Sequence, residues 1–197
     1  RAAKIRNEAI KKTTCDYLIF LDGDCIPNNY FVADHISLAE KGFFVQGKRV
    51  LVGKQASEFF SLSCANSLPS LLKLSVSGLL SNVHHIVRFP FFPAIRNKSL
   101  RGIKSCNIGV FRKDVLAVNG FNEAFVGWGR EDSEFVARLY KYGIQRKEHP
   151  FMAICFHLWH PENPKKHLNK NDEMLNATLA GDGYWCEDGL VKNRDSP

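Results

Sequence analysis

Residues 16–27 read DYLIFLDGDCIP. Tyr17 to Leu21 is a short unbroken apolar run, the pattern of a strand buried on both faces in a parallel sheet. The run stops at Asp22-Gly23-Asp24, and Pro27, Asn28 and Asn29 follow as loop formers. Two carboxylates separated by one small residue, at the carboxyl end of a buried strand, stand at the open edge of an α/β sheet, where ligands bind. Gly23 permits close approach of a ligand, and hard divalent cations such as Mg²⁺ or Mn²⁺ favour carboxylate oxygen and bridge to substrate phosphates. A plain turn uses the same residue types, since Asp and Gly are both turn formers.

Working outward, Ala3, Ile5, Ala9 and Ile10 recur between charged neighbours and predict a helix over residues 1–14. After the acidic turn, residues 31–41 read as a helix, residues 43–52 as one strand, and residues 68–80 as a helix. An aromatic and basic loop with Pro90 and Pro93 then has the composition of a segment that covers a site. Asn107 to Phe111 is a short strand, residues 114–118 a helical turn ended by Asn119 and Gly120, and residues 133–142 a helix closed by Gly143. Residues 151–156 form one more buried strand that ends in His157, followed by a polar region with a helix at 172–179 and a Gly-rich, weakly structured tail. Helices alternating with buried strands, and no internal repeat, predict an α/β domain.

A length of 197 residues fits one domain. With 45% hydrophobic and 24% charged residues, disordered, collagen-like and coiled-coil classes are excluded. The net charge of +7 points to an anionic partner: nucleotide phosphates, an acidic glycan, anionic lipid or nucleic acid. Arg88, Arg96, Lys98, Arg101 and Lys104 surround Phe89, Phe91 and Phe92, which would suit RNA, but no nucleic-acid module motif accompanies them. A lid, an acidic acceptor or a membrane surface explains them with fewer assumptions, and a solvated face is the default. No apolar stretch is long enough to span a bilayer, the best, Leu68 to Val83, being broken by Pro69, Lys73 and Asn82. Leucines there make a stripe that suits peripheral membrane contact, although a core-facing helix is the plainer reading. The six cysteines lack metal-knuckle spacing, and Cys15, Cys25 and Cys155 lie in or beside apolar stretches, so reduced core thiols in a cytoplasmic protein are expected, with disulfides still open.

Arg6, Asn7 and the stretch 16–27 together closely resemble the DxD region of inverting family 2 glycosyltransferases with the GT-A fold. The resemblance implies a Rossmann-like mixed sheet flanked by helices, a metal bound by Asp24, and Asp22 contacting the nucleotide or the metal shell. Arg6 and Asn7 would lie near the donor, although a solvated helix face accounts for them as well. The chain opens at Arg1 without Met, and the family's strand-turn-helix with its nucleotide-base site is expected to precede it. Residues 1–165 would then be the carboxyl-side part of a GT-A domain and 166–197 an extension of it.

Residues 119–139, NGFNEAFVGWGREDSEFVARL, are the most specific signal. They look like the acceptor-side motif of β-1,4-galactosyltransferase and chondroitin-polymerase type transferases. Gly127 and Gly129 free the backbone around Trp128, whose indole suits a sugar ring, and Gly129 and Arg130 lead into the acids. Glu131 and Asp132 begin the helix, where the dipole favours carboxylates and would keep a base ionised. The resemblance assigns the general base to Asp132 and acceptor hydroxyls to Glu131; a helix-capping acidic cluster is the plain alternative, and Arg130 replaces a residue that is usually small. In CFHLWHPENP, residues 155–164, His157 ends a strand and matches the position that completes the metal site in these families, while His160 suits a phosphate contact.

The expected activity is a metal-dependent (Mn²⁺ or Mg²⁺), inverting transfer of a sugar from a nucleotide donor, most simply a UDP-sugar, to a hydroxyl of a glycan or glycolipid. The protein would sit in the cytoplasm, at the inner face of the membrane where it meets lipid, with no nucleic acid partner. A carbohydrate-binding or scaffold module that has lost turnover is the alternative from another class, and a metal-dependent hydrolase or nucleotidyltransferase the other enzyme reading.

Overall fold

The computed structural model describes residues 2–161 and 164–192. In chain order the elements are α1 (Ala2–Lys12), β1 (Tyr17–Leu21), β2 (Cys25–Pro27), α2 (Phe31–Leu38), β3 (Phe43–Gln46), β4 (Lys48–Val52), α3 (Lys54–Ser57), α4 (Leu62–Ala65), α5 (Leu68–Val76) and β5 (Leu80–Ser81). After a 3₁₀ turn at Val83–His85 come β6 (Ile95–Asn97), β7 (Asn107–Phe111), α6 (Arg112–Ala117), α7 (Glu131–Lys141), β8 (Gln145–Glu148), β9 (Ile154–His157) and α8 (Leu168–Ala180). Two mixed sheets result, one ordered β1-β7-β3-β8-β6 and the other β2-β9-β4-β5.

The two sheets share chain segments. Three times a strand of the first sheet runs after a short break into a strand of the second: β1 into β2, β3 into β4, and β8 into β9. The single strand expected at 43–52 is therefore two, divided at Gly47, where a Cβ would overlap the Asn107 carboxamide. The strand expected at 151–156 begins only at Ile154, because Ala153 takes φ +54° at the same crease.

Asn107, fully buried in β7, pins this crease. Its Nδ2 donates to Lys48 O (2.9 Å) and Ala153 O (2.8 Å), the first residue of β4 and the residue before β9. Its Oδ1 accepts from His35 Nε2 of α2 at 2.8 Å, which places the imidazole proton on Nε2.

The first strand is not in a parallel pairing. β1 runs antiparallel to β7, Tyr17 opposite Phe111 and Leu21 opposite Asn107, and is outermost in the described sheet. Its apolar run reflects two different covers: Leu18 and Phe20 face the main core with Ile108, Phe121 and Phe135, while Ile19 faces Cys25, Phe31, Cys106 and Cys155. An unbroken run reports burial on both sides and is silent on strand direction.

Periodicity also missed β8, whose QRKE has no apolar residue; its charges pair instead, Lys147 with Glu40 (2.8 Å) and Arg146 with Glu148 (2.7 Å). Leu71 of α5 is buried in a second core with Val50, Phe60 and Phe156, so this helix faces the core. Among the described residues no helix is long and apolar enough to cross a membrane.

The carboxyl-terminal part is more ordered than its composition implied. α8 starts four residues earlier than expected, and Cys186 and Leu190 are buried. Asn119, at φ +61°, donates through Nδ2 to Val191 O (2.8 Å) and accepts from Val191 N (2.9 Å), docking the tail by a backbone-like pair of bonds. All six cysteines are free thiols; Cys25, Cys106, Cys155 and Cys186 are buried, whereas Cys15, expected in the core, is exposed because it precedes the strand rather than joining it.

Burial of the His35 imidazole pushes its pKa down to about 4, against the opposing pull of its Asn107 hydrogen bond and of Asp34. The unfolded chain, with an ordinary imidazole near ~6.5, binds a proton that the native state refuses, so stability is lost as pH falls from about 6.5 toward 4. Between pH 7 and pH 5 this group should cost about 2 kcal/mol. Urea unfolding of the parent and of His35→Gln at both pH values checks this: the variant's dependence should be shallower by that amount, and equal slopes would exclude His35 as the source.

Candidate active site

Asp22, Gly23 and Asp24 lie where β1 leaves the first sheet for β2 in the second. The turn closes with Cys25 N donating to Asp22 O at 3.1 Å. β2 pairs antiparallel with β9, Cys25 opposite His157, and Leu158 N donates to Asp24 O at 2.8 Å. This register sets Asp24 beside the end of β9. His157 Nε2 stands 3.6 Å from Asp24 Oδ2, and His160 Nε2 stands 3.2 Å from the same oxygen. Asp24, His157 and His160 thus offer three ligand atoms within 4.8 Å of one another.

The donor set fits a divalent cation. His160 Nδ1 faces Pro161 O at 2.8 Å, and a carbonyl only accepts, so the neutral ring carries its proton there and turns the Nε2 lone pair toward Asp24. Burial lowers the His157 pKa, with Asp24 pulling the other way, which favours the neutral, ligating imidazole. Two imidazoles and one carboxylate suit Mn²⁺ or a similar ion better than an all-oxygen preference such as that of Ca²⁺.

Asp22 is not in this triad. Its Oδ1 accepts from Arg6 Nη2 at 2.9 Å, and Arg6 Nη1 lies 3.7 Å from Asp132 and 3.9 Å from Glu131. One guanidinium of α1 therefore faces three carboxylates from two distant stretches of chain. Its central carbon lies 5.3 Å from the centroid of the Phe121 ring, over the ring face. Asn7, the next residue, points the opposite way. It is fully buried, donates to Phe121 O (2.8 Å) and Glu123 Oε1 (2.9 Å) and accepts from Phe121 N (2.9 Å). Asn7 ties α1 to the 119–125 turn and does not line the cleft, because successive helix residues diverge by about 100°.

On the far wall the backbone is left-handed at Gly127 (φ +76°), Gly129 (+100°) and Arg130 (+78°). A non-glycine residue held in that region carries strain, which the surroundings must impose. Asn171 of α8 supplies part of the clamp, donating to Gly129 O at 2.9 Å, and Asp172 pairs with the Arg130 guanidinium. Trp128 is left 39% exposed at the rim, with Lys165 Nζ over one face of its ring, 5.1 Å from the centroid.

Glu131 and Asp132 open α7. Asp132 is held by Ser105, whose backbone N–H donates to Oδ2 at 3.0 Å and whose hydroxyl donates to Oδ1. Ser105 is itself buried. For Glu131 the helix terminus is not the dominant influence. Burial, and next the neighbouring Asp132, push its carboxyl pKa up, only partly offset by Arg6.

A cleft of about 730 Å³ gathers Arg6, Asp22, Asp24, Trp128, Gly129, Arg130, Glu131, Asp132, His157 and His160, whereas Asn7 and Gly23, also singled out in the sequence, do not line it. It also contains Arg49, which no motif had marked, together with Lys104 of the basic loop and Trp159 of the histidine stretch. Arg49 lies in β4 with its Cα opposite Cys155 of β9, near the histidines by sheet register alone. Ser105, too, was missed; its only signal was its place two residues before the strand residue Asn107.

Known proteins carry the same elements. Residues 87–161 match the N-terminal domain of galactosyltransferase, and residues 1–112 match glycosyl transferase family 2. Chondroitin synthase of Escherichia coli is 24% identical over 190 residues, covering 89% of this chain and 27% of that protein. The crystal structure of GalNAc-T7 with UDP, GalNAc and Mn2+ aligns at a TM-score of 0.53 and 12% identity, over 81% of this chain and 31% of that one. The chain therefore spans well under half the length of either relative, and the structural likeness bears out the expected GT-A type of mixed α/β fold. With the family match running over more than half of its residues and through both Arg6 and the Asp22-Gly23-Asp24 turn, the chain belongs to glycosyltransferase family 2.

Proposed function

We propose that the protein containing this chain transfers a sugar from a nucleotide diphosphate donor, most simply a UDP-sugar, to a hydroxyl of a glycan or glycolipid, with inversion at the anomeric carbon. The observation that carries this reading is the convergence, in one cleft, of the Asp24, His157 and His160 triad with the Glu131 and Asp132 pair. The GalNAc-T7 structure, which holds UDP, GalNAc and Mn2+, supports the choice of donor class.

Asp24, His157 and His160 would hold a Mn²⁺ or Mg²⁺ ion, which when bound supplies positive charge against the donor's diphosphate. Asp22, on the same turn, faces the nucleotide while Arg6 holds its carboxylate in place. The acceptor sugar stacks on Trp128, with Gly129 and Arg130 shaping the rim. Asp132 takes the proton of the acceptor hydroxyl as that oxygen attacks the anomeric carbon, and the electron pair of the breaking bond leaves with the diphosphate. Attack from the side opposite the leaving group inverts the centre. Two of the roughly four lone-pair directions of the Asp132 carboxylate are committed to Ser105, which fixes its plane and leaves others for the proton. Glu131, less acidic than an exposed carboxyl, hydrogen-bonds acceptor hydroxyls.

Asp132→Asn should lower kcat by roughly 10²–10⁴-fold, the usual worth of a positioned base, while nucleotide and Mn²⁺ binding stay near the parent values. Undiminished turnover would exclude Asp132, and glycan binding without turnover in the parent protein would favour a carbohydrate-binding module. Ser105→Ala keeps the backbone donor but loses the hydroxyl, so kcat should fall about tenfold with KM for the acceptor little changed. Asp24→Ala should weaken Mn²⁺ binding, followed by electron paramagnetic resonance, by at least about tenfold; equal Mn²⁺ affinity in variant and parent would remove Asp24 from the site.

A further inference from the structure

Residues 87–104 contain Arg88, Arg96, Lys98, Arg101 and Lys104 and no Asp or Glu. In the same segment Val87, Phe89, Phe91 and Phe92 are exposed, Phe91 to 87%. Such a patch costs solubility unless something covers it.

The loop is braced from beneath. Arg88 donates twice to the buried Asp34 (3.0 and 2.7 Å), Phe89 N donates to Phe151 O (3.3 Å), and His149 Nε2 donates to Phe92 O (2.6 Å). Phe151 packs edge-on against both Phe89 and Phe92. Pro90 and Pro93 stiffen the two sides of the tip. Phe91 is therefore held outward by a rigid base, so inserting it elsewhere requires little further ordering.

Arg88 and Arg96 are engaged by Asp34 and Glu40, which leaves the outward positive charge to Lys98, Arg101 and Lys104, all exposed. An exposed aromatic tip followed in the chain by exposed cations matches the interface of an anionic bilayer, with the rings at headgroup depth and the cations at lipid phosphates. A second copy of the chain is the poorer occupant, because face-to-face pairing would oppose two acid-free basic segments.

We infer that the loop of residues 87–104 docks on an anionic lipid surface through Phe91 and its neighbours. Lys104 also lines the catalytic cleft, so the basic stretch runs from the lipid-contacting tip to the cleft. A membrane-borne acceptor would then meet the cleft at the bilayer face; the docking itself does not depend on the reaction assigned to the cleft.

Co-sedimentation with vesicles tests it, using phosphatidylcholine alone and phosphatidylcholine with phosphatidylglycerol. The parent should bind the anionic vesicles at least about tenfold more tightly than the neutral ones, and added salt should weaken the binding. Phe91→Ser should lose roughly tenfold or more of that affinity, and Lys98→Glu with Arg101→Glu should lose most of it. Since Phe91 is exposed, both variants should keep the parent circular dichroism and the parent rate on a soluble acceptor. Absence of binding to anionic vesicles, or equal binding by Phe91→Ser, overturns the inference. Concentration-dependent dimers that Phe91→Ser abolishes, without vesicle binding, overturn it in favour of self-association.

Discussion

The buried carboxamide of Asn107 is the constraint on which the architecture rests. Three chain segments pass from one sheet to the other along a single crease, and at such a break the backbone amides lose their ladder partners. Asn107 donates to two carbonyls at the crease, those of Lys48 and Ala153, and anchors its own oxygen on His35 of α2. Gly47 leaves the room this side chain occupies. Had the crease opened instead, β2, β4 and β9 would no longer hang from β1, β3 and β8 at a fixed angle. Asp24 and His157 are brought together by the β2–β9 register within the second sheet, and the crease holds that sheet against the first.

A second balance concerns charge. Within the cleft Asp22, Glu131 and Asp132 all face the guanidinium of Arg6. Burial disfavours ionisation and the neighbouring Asp132 charge adds to the effect, which raises the Glu131 carboxyl despite its place at a helix start. The dipole contribution at a helix end is typically 0.3–1 kcal/mol, too small to outweigh substantial desolvation. The two acids thus differ in environment: Asp132 is clamped by Ser105, whereas burial raises the Glu131 carboxyl above its ordinary value. Environments that push paired carboxyls apart are how one site separates their roles.

Elements with strong periodic signals were legible in the sequence. Tyr17 to Leu21, Asn107 to Phe111 and the amphipathic face of α7 all occur as strand, strand and helix because local burial patterns dictate them. Charged β8 was not legible, since its charges are met by Glu40, Lys48 and Asn97 outside the strand. The tail after α8 was likewise opaque: Asn119 reads as a turn residue, yet its side chain docks Val191 more than seventy residues away.

What the sequence determined by itself was the chemical inventory of the site: an acidic turn after an apolar strand, a Gly-Trp-Gly stretch before two acids, and a histidine at a strand end. These depend on local spacing and backbone freedom, which a sequence states directly. Only the tertiary structure decided how that inventory is shared out. Arg6 and Asn7 are adjacent in sequence, but helix geometry sends the first to three carboxylates and the second into the core. His160 joins Asp24 and His157, and Ser105 grips Asp132, through sheet register and packing across long separations. Partner choice of that kind is set by which strands share a crease, a property of the folded chain as a whole.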